Sequence, residues 1–596
     1  MLKPFRLVLW AVLALASAPA LAGEEARLAW IYVEANTGGS SGGHLGLRVE
    51  DTIYHVQQSP EGLYELNRDD WRTFRHLYAG LQNRTLELAE LDVAAADVER
   101  VQERLSKAYV AQRRELDRRA RRALDLAWLE AWRSNRSPPP LAGAGLLAPG
   151  PQRDPDAEAL RTVLHAAIGA DSLAAQLARV SAQIAAYRPA GGAESDRADP
   201  EALEALREAL LLREALVAVE EAWPIAEPAL LRIEGRLAEP LADAEVSGCR
   251  RFAEAQRSSV LELLGSQRPD RGRPLLLAMA RHQALARCAA SRRLVLLDAY
   301  AGEHDFPPQR ELPRPAAWAR LAADFGGVVR GGRTKVLARR SFDEAQYNLL
   351  EVGAGVLNEY ERGARGEPTR KLPRHATPAP AGSIAFEPEG LGSAQLDAAI
   401  EAAEERYRRQ QQRVHELYRY GVLRRNCVTE LARLLNDAFE PDDTARALGA
   451  RLEPGAGFGF IPFAFFDEVT SRLRVERLAT VASHRERELA RLLQTDPGLL
   501  RRLREAITLS SSIYTPRPRD GSFLFFSDDV FWRRPLLGFA NFGYAAGSGV
   551  VGLVAAPFDG ARRLRAAGSG LWYSLPELAF FNIRKGTFDW VPAEEN

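Results

Sequence analysis

Residues 44–57 read His-Leu-Gly-Leu-Arg-Val-Glu-Asp-Thr-Ile-Tyr-His-Val-Gln. Two apolar, partly alternating runs, 44–49 and 52–57, flank a tight polar pair, which is the pattern of a β-hairpin. With Glu50 and Asp51 as the two turn residues, Val49 faces Thr52, Gly46 faces His55 and His44 faces Gln57. Side chains alternate along a strand, so His44, His55 and Gln57 share one face, within about 5–8 Å of one another. A one-residue change in the turn would undo this juxtaposition. Gly46 between them removes bulk where a substrate or a cysteine-bearing helix approaches.

Upstream, residues 28–36 (LAWIYVEAN) read as a strand, and Thr37 to Gly43 as a glycine/serine loop that leaves His44 accessible. Downstream, Asp92 to Arg133 has helical apolar spacing with a charged opposite face. Residues 136–158 are Pro/Gly-rich and read as a linker or loop. A Leu/Ala/Arg/Glu-rich region follows over about 158–325 and suits antiparallel helices packed by apolar stripes. Further helices are expected at 342–362, 394–418 and 427–438, with a second Pro/Gly-rich extended segment at 363–392.

The chemistry concentrates in Asn426-Cys427-Val428-Thr429-Glu430. Cys427 stands where a helix begins, so unpaired backbone N–H groups and the positive end of the helix dipole face its thiol. Both are expected to favour the thiolate, the nucleophilic form. Asn426 has two readings, cap of this helix or amide donor to an oxyanion. Glu430 lies one turn on, solvated or ion-paired. A cysteine at a helix start with a sheet-borne histidine base is the papain-like arrangement. Either His55 or Gln57 is placed to fix the orientation of the His44 ring.

The string His44 to His55, followed far downstream by Asn426-Cys427, resembles the circularly permuted papain-like superfamily that includes lecithin:retinol acyltransferase-like and NlpC-like enzymes. More narrowly, it resembles bacterial proteins carrying the Lnb N-terminal periplasmic domain. That resemblance covers roughly residues 27–90 and 340–470. It implies Cys427 as nucleophile, His44 as general base and His55 as the orienting third member. The expected fold class is α+β: a papain-like small antiparallel sheet plus helices, split by a large all-α insertion, with a glycine/aromatic-rich C-terminal region. The expected divisions are a signal peptide at 1–22, the histidine half at 23–135, the helical insertion at 136–340, the cysteine half at 341–475 and a C-terminal region at 476–596.

The address follows from the N-terminus. Lys3 and Arg6 precede an apolar run from Leu7 to Ala16, and Ala20-Leu21-Ala22 is a small-x-small cleavage site, so a secretory signal peptide is expected rather than an uncleaved anchor. Export to the periplasm makes the cysteine count informative, because there are three: Cys249, Cys288 and Cys427. Cys249 and Cys288 are candidates for a disulfide stapling a helical hairpin; the alternative is that all three are buried thiols. The nine histidines include no HExxH or paired metal spacing, and the glycine pairs match no nucleotide-binding pattern, so no metal and no cofactor is expected.

The 596 residues carry 46% apolar and 27% charged side chains with a net charge of zero, an ordinary globular balance that does not point to nucleic acid. Leu536 to Phe558 is a charge-free run long enough to span a bilayer. Its Gly543/Gly547 pair has GxxxG spacing, and Gly549 and Gly552 add close-approach sites. It reads either as a membrane-associated or helix-pairing segment, or as a buried glycine-rich segment of a soluble domain. Leu571 to Ile583 is a second apolar, aromatic-rich stretch suited to an interface. The expected function is cysteine-dependent acyl transfer on an envelope lipid or lipoprotein. Peptidoglycan amidase/peptidase action and a catalytically silent envelope scaffold are the alternatives.

Overall fold

The Glu50–Asp51 turn is formed as read: Glu50 takes the left-handed conformation at φ 53°, and Val49 pairs with Thr52 and Gly46 with His55. The structure is a computed structural model that describes residues 28–34, 43–81, 84–150, 154–187, 202–302, 315–370, 377–388, 392–454, 459–495, 498–514, 516, 520–526 and 533–579. Segment 1–22, read from the sequence as a signal peptide, and most of the loop before His44 lie outside the described residues. The fold is mixed α+β, a small antiparallel six-stranded sheet with many helices. It divides into two units, one built from 1–113 with 417–596, the other from 114–416. The helical unit is therefore wider than the expected 136–340.

The first unit opens with β1 (Leu28–Val33), β2 (His44–Val49), β3 (Thr52–Gln58) and β4 (Tyr64–Asp70), then α1 (Trp71–Arg75), which runs into a π-helical turn at His76–Leu81. Next come β5 (Leu86–Leu91) and α2 (Ala95–Arg133), whose part from residue 114 onward belongs to the second unit.

In the second unit α3 (Pro155–Ile168), α4 (Ala170–Ala185), α5 (Ala202–Glu220), α6 (Asp243–Gly265), α7 (Gly272–Ser291), α8 (Pro315–Leu337), α9 (Glu344–Ala364) and most of α10 (Ser393–Tyr418) follow in order. The two Pro/Gly-rich segments are not bare linkers. Leu141–Ala142 pairs with Ala381–Gly382, and Asp154 caps α3 by accepting from the Asp156 and Ala157 N–H groups. Cys249 on α6 and Cys288 on α7 meet as expected for a helical hairpin, but as free thiols hydrogen-bonded to each other, not as a disulfide. Cys288 also donates to the Val295 carbonyl at 3.2 Å and accepts from its N–H at 3.0 Å.

Between α7 and α9 lies a buried ion pair. Arg281 donates to both carboxylate oxygens of Glu351, at 3.2 and 2.6 Å, and both residues are shut off from solvent. Burial alone would drive Glu351 toward its neutral form, and the guanidinium opposes that. Arg281 also donates to Glu344 at 3.1 Å, but that carboxylate is 70% exposed, so removing Glu351 leaves the buried charge compensated only from the surface. Glu351→Ala is therefore expected to cost about 3–5 kcal/mol in chemical denaturation, and the Arg281→Met/Glu351→Leu double variant distinctly less.

Back in the first unit are α11 (Cys427–Asn436), α12 (Pro441–Leu448), α13 (Pro462–Arg472), β6 (Val475–Val481), α14 (His484–Thr495), α15 (Leu499–Ala506), α16 (Arg534–Asp559) and α17 (Arg562–Leu578). The sheet order is β4-β3-β2-β1-β5-β6, all antiparallel. Its two faces carry different cores. On one, Leu45, Leu47, Val49, Tyr54 and Val56 pack with Val428, Leu431 and Leu435 of α11 and Phe465 and Val469 of α13. On the other, Ile31, Val33, Ile53, Leu86 and Leu88 pack under Trp71, Phe74 and Tyr78. Alternation places His44, Gly46, Arg48 and His55 on this second face.

Candidate active site

His44 opens β2 and His55 lies in β3, and their rings meet: His44 Nε2 is 2.9 Å from His55 Nδ1. His55 Nε2 is 2.8 Å from Asp69 Oδ2, a residue of β4. A carboxylate only accepts, so His55 Nε2 carries a hydrogen and donates it to Asp69. Neutral His55 then has its lone pair on Nδ1, and His44 donates to it from Nε2. The lone pair of His44 is consequently on Nδ1. Three residues on three adjacent strands thus define one tautomer of His44.

Aromatic rings clad this chain. Phe74 stands edge-on to His55 at 5.2 Å between centroids, and Tyr78 stacks on His44 at 5.9 Å. His55 is fully buried and His44 nearly so. Gln57, read as a support for the His44 ring, donates from Nε2 to the Tyr78 hydroxyl at 2.9 Å. It therefore holds the ring that stacks on His44. His55 makes the direct bond.

Cys427 is the first residue of α11, and Asn426 is its cap. Asn426 Oδ1 accepts from the Val428 and Thr429 N–H groups at 2.9 and 3.0 Å, and the Thr429 hydroxyl accepts from the Asn426 N–H at 2.8 Å. The Asn426 amide nitrogen donates to the carbonyls of Val422 and Phe460. Its donors are committed, so of the two readings the cap is the one found. Glu430 is buried and ion-paired, 3.1 Å from Arg433.

Two expectations for the cysteine are corrected. Burial pushes the thiol up to about 11, although the N–H groups of Leu45, Val428 and Cys427 itself pull the other way. Helix-start donors act on a group only 8% exposed, and desolvation wins. The resting sulfur is a thiol. Secondly, Gly46 does not clear a path for the cysteine helix. A Cβ there would meet Ile53 Cγ2 at 3.2 Å, on the face that Trp71, Phe74 and Tyr78 cover. The imidazoles and α11 come from opposite faces of the sheet. α11 meets β2 at Leu45, whose N–H is directed at the Cys427 sulfur. Strand N–H groups lie in the plane of the sheet, between its two faces, and Leu45 directly follows His44. The Tyr420 hydroxyl is also close enough for the sulfur to raise it, after burial, to about 12.

Sequence reading missed Asp69 and Tyr78. The signal for Asp69 is its distance from the second hairpin turn: β3 and β4 pair with Ile53 opposite Asp69 and His55 opposite Asn67, so Asp69 shares the histidine face. Among the described residues no group of three or more His, Cys, Asp and Glu side chains is arranged to hold a metal ion. Comparison of the chain with protein-family models, curated proteins and solved structures gives no match.

Proposed function

We propose that this chain is an exported, cysteine-dependent acyl-transfer enzyme that takes an acyl group from an envelope lipid or lipoprotein as a thioester on Cys427. The observation that carries the reading is the hydrogen-bonded series Asp69–His55–His44, which leads to the residue preceding Leu45, whose N–H is directed at the Cys427 sulfur. On this reading the sheet and α11 form a permuted papain-like core, with the helical unit inserted between its two halves.

His44 Nδ1 takes the thiol proton as sulfur attacks the ester or amide carbonyl. The positive charge gained by the imidazole is stabilised through His55 by Asp69. The carbonyl oxygen becomes an oxyanion facing the N–H groups of Cys427 and Leu45, since Asn426 holds those of Val428 and Thr429. Collapse breaks the bond to the leaving alcohol or amine, which receives the proton from His44. The thioester remains. An incoming amine or water gives its proton to His44 and attacks the thioester, and the thiol is regenerated. A peptidoglycan peptide would enter the same sequence as an amide substrate.

The buried, protonated thiol favours one competing reading, a catalytically silent envelope scaffold. Intact-mass spectrometry separates the two. The purified chain is incubated with envelope phospholipid, diacylated lipopeptide or peptidoglycan fragments. A mass gain equal to one acyl group on Cys427, released by hydroxylamine, is expected with the lipid donors. An adduct only from peptidoglycan peptides moves the substrate class to the wall. No adduct from any donor sinks the enzyme reading.

A further inference from the structure

α16 and α17 pack as an antiparallel pair whose polarity is inverted relative to a soluble domain. Their shared interior is small or polar. A Cβ on Gly538 would meet Glu577 Cβ at 2.6 Å, one on Gly552 would meet the Leu564 nitrogen at 2.8 Å, and Gly549 lies against Ala567. Asn541, Ser574 and Glu577 are completely buried in this region. The Asn541 amide donates to Glu577 at 3.3 Å and to the Phe525 carbonyl at 3.0 Å, and the Ser574 hydroxyl donates to the Gly570 carbonyl. The outside is apolar. Leu536, Phe539, Val550, Val551, Leu553, Val554 and Phe558 of α16 and Trp572 of α17 are all more than half exposed, and Phe558 reaches 91%.

Gly543 and Gly547, the GxxxG pair of the sequence, face away from this contact with nothing within 4 Å of either. The helix pairs with α17 through Gly538, Ala545, Gly549 and Gly552, meets the 524–525 backbone through Asn541, and presents Leu536, Phe539, Val550, Val551, Leu553, Val554 and Phe558 outward.

Polar groups buried in pairs and large aliphatics facing out are what lipid selects and water does not. The 26 residues of α16 make a rod of about 39 Å, against a hydrocarbon core of about 30 Å. Charges cluster at the two ends. Arg533 and Arg534 precede the apolar run, and Asp559, Arg562, Arg563 and Arg565 follow it. At the second end a cleft of about 390 Å³ is lined by Tyr514, Asp520, Tyr544, Arg562 and Arg563. Tyr514 donates to Asp520 at 2.8 Å, and the two guanidiniums supply the cationic wall.

We infer that the α16–α17 hairpin enters a lipid bilayer, with its arginine-bearing turn and the adjoining cleft engaging anionic lipid headgroups. The occupant of the apolar surface is lipid. The inference does not depend on Cys427 chemistry and would survive its failure.

Flotation of the full chain with vesicles tests it. With phosphatidylethanolamine/phosphatidylglycerol vesicles the protein is expected to float, and brominated acyl chains are expected to quench fluorescence that Trp572→Phe removes. Val550→Asp/Val554→Asp changes two exposed positions and is expected to reduce flotation at least tenfold with an unchanged circular dichroism spectrum. Arg562→Glu/Arg563→Glu is expected to lose the preference for phosphatidylglycerol over phosphatidylcholine. Wild-type protein that stays with the lipid-free fraction overturns the inference. So does a Val550→Asp/Val554→Asp variant that floats like wild type. A lipid-independent oligomer cross-linked through α16 also overturns it, because the apolar face would then belong to a second copy.

Discussion

Cys427→Ala is expected to abolish acyl-adduct formation, and His44→Ala to slow it about 10²- to 10⁴-fold at neutral pH, a deficit that shrinks as the pH is raised. The reason is the protonated resting thiol. With the thiol at about 11, the thiolate fraction at pH 7 is roughly one in ten thousand. A base that removes the proton during attack overcomes this; a variant without one depends on the equilibrium thiolate, which grows tenfold per pH unit. Adduct formation by His44→Ala should therefore climb log-linearly toward pH 11, while the wild type levels off earlier. The same shift has a stability consequence. The folded state holds the thiol proton more tightly than the unfolded chain, whose cysteines titrate near about 8.5. Stabilisation is complete below that value and is lost as the pH rises through about 11, and Cys427→Ala should remove this part of the alkaline loss. Initial rates of mass gain from pH 6 to 10 measure the first effect. A His44→Ala rate equal to wild type at pH 7 would contradict the base role.

On the proposed export to an oxidising compartment, a protonated sulfur is also the less readily oxidised form. The helix start at Cys427 was readable because capping is local: Asn426, Thr429 and the periodicity behind them lie within a few residues. Whether the thiol is ionised was not readable, because that depends on how deeply β2, β3 and α13 bury the helix start. The hairpin register was legible for the same local reason. A two-residue turn sets every pairing behind it, and Gly46 opposite His55 follows.

What the hairpin faces was decided elsewhere. Trp71, Phe74 and Tyr78 fold back over the histidine side, and α11, about 380 residues downstream in the chain, takes the other. β4, β5 and β6 escaped notice: β4 and β6 do not alternate cleanly, and β5 is only six residues long. β4 reads YELNRDD and β6 reads VERLATV, and each becomes a strand by pairing with an already formed neighbour. The β5–β6 pairing joins Leu86 to Val481, a separation over which local pattern carries no register. In the tail the Gly543/Gly547 spacing points to the open side of α16, whereas Gly549 and Gly552 lie on the seam. Glycines at five positions of α16 could each have formed the seam, and only the partner helix selects among them.

Asp69 is where the missed strand matters most, and Asp69→Asn is expected to lower the acylation rate about 10²- to 10⁴-fold while leaving the fold intact. The substitution is nearly isosteric, so the effect must come through hydrogens. An asparagine turns either its oxygen or its amide group toward His55. If the amide donates, His55 Nε2 must accept, and the ring hydrogen moves to Nδ1. That nitrogen faces His44 Nε2 at 2.9 Å, so His44 must then accept there and carry its own hydrogen on Nδ1. The base nitrogen is thereby occupied, two residues away from the change. If the oxygen faces His55, the tautomers survive, but the negative charge that stabilises the protonated pair is gone. Both outcomes slow the proton-transfer step. They differ in their pH profiles, since only the first inverts the resting tautomer, which ring ¹⁵N shifts of His44 report directly. A structural role for Asp69 predicts instead an unfolded or destabilised protein with unchanged imidazole shifts in whatever remains folded. Wild-type kinetics in a folded Asp69→Asn protein would break the series at its anchored end, and the assignment of His44 Nδ1 as the base would fall with it.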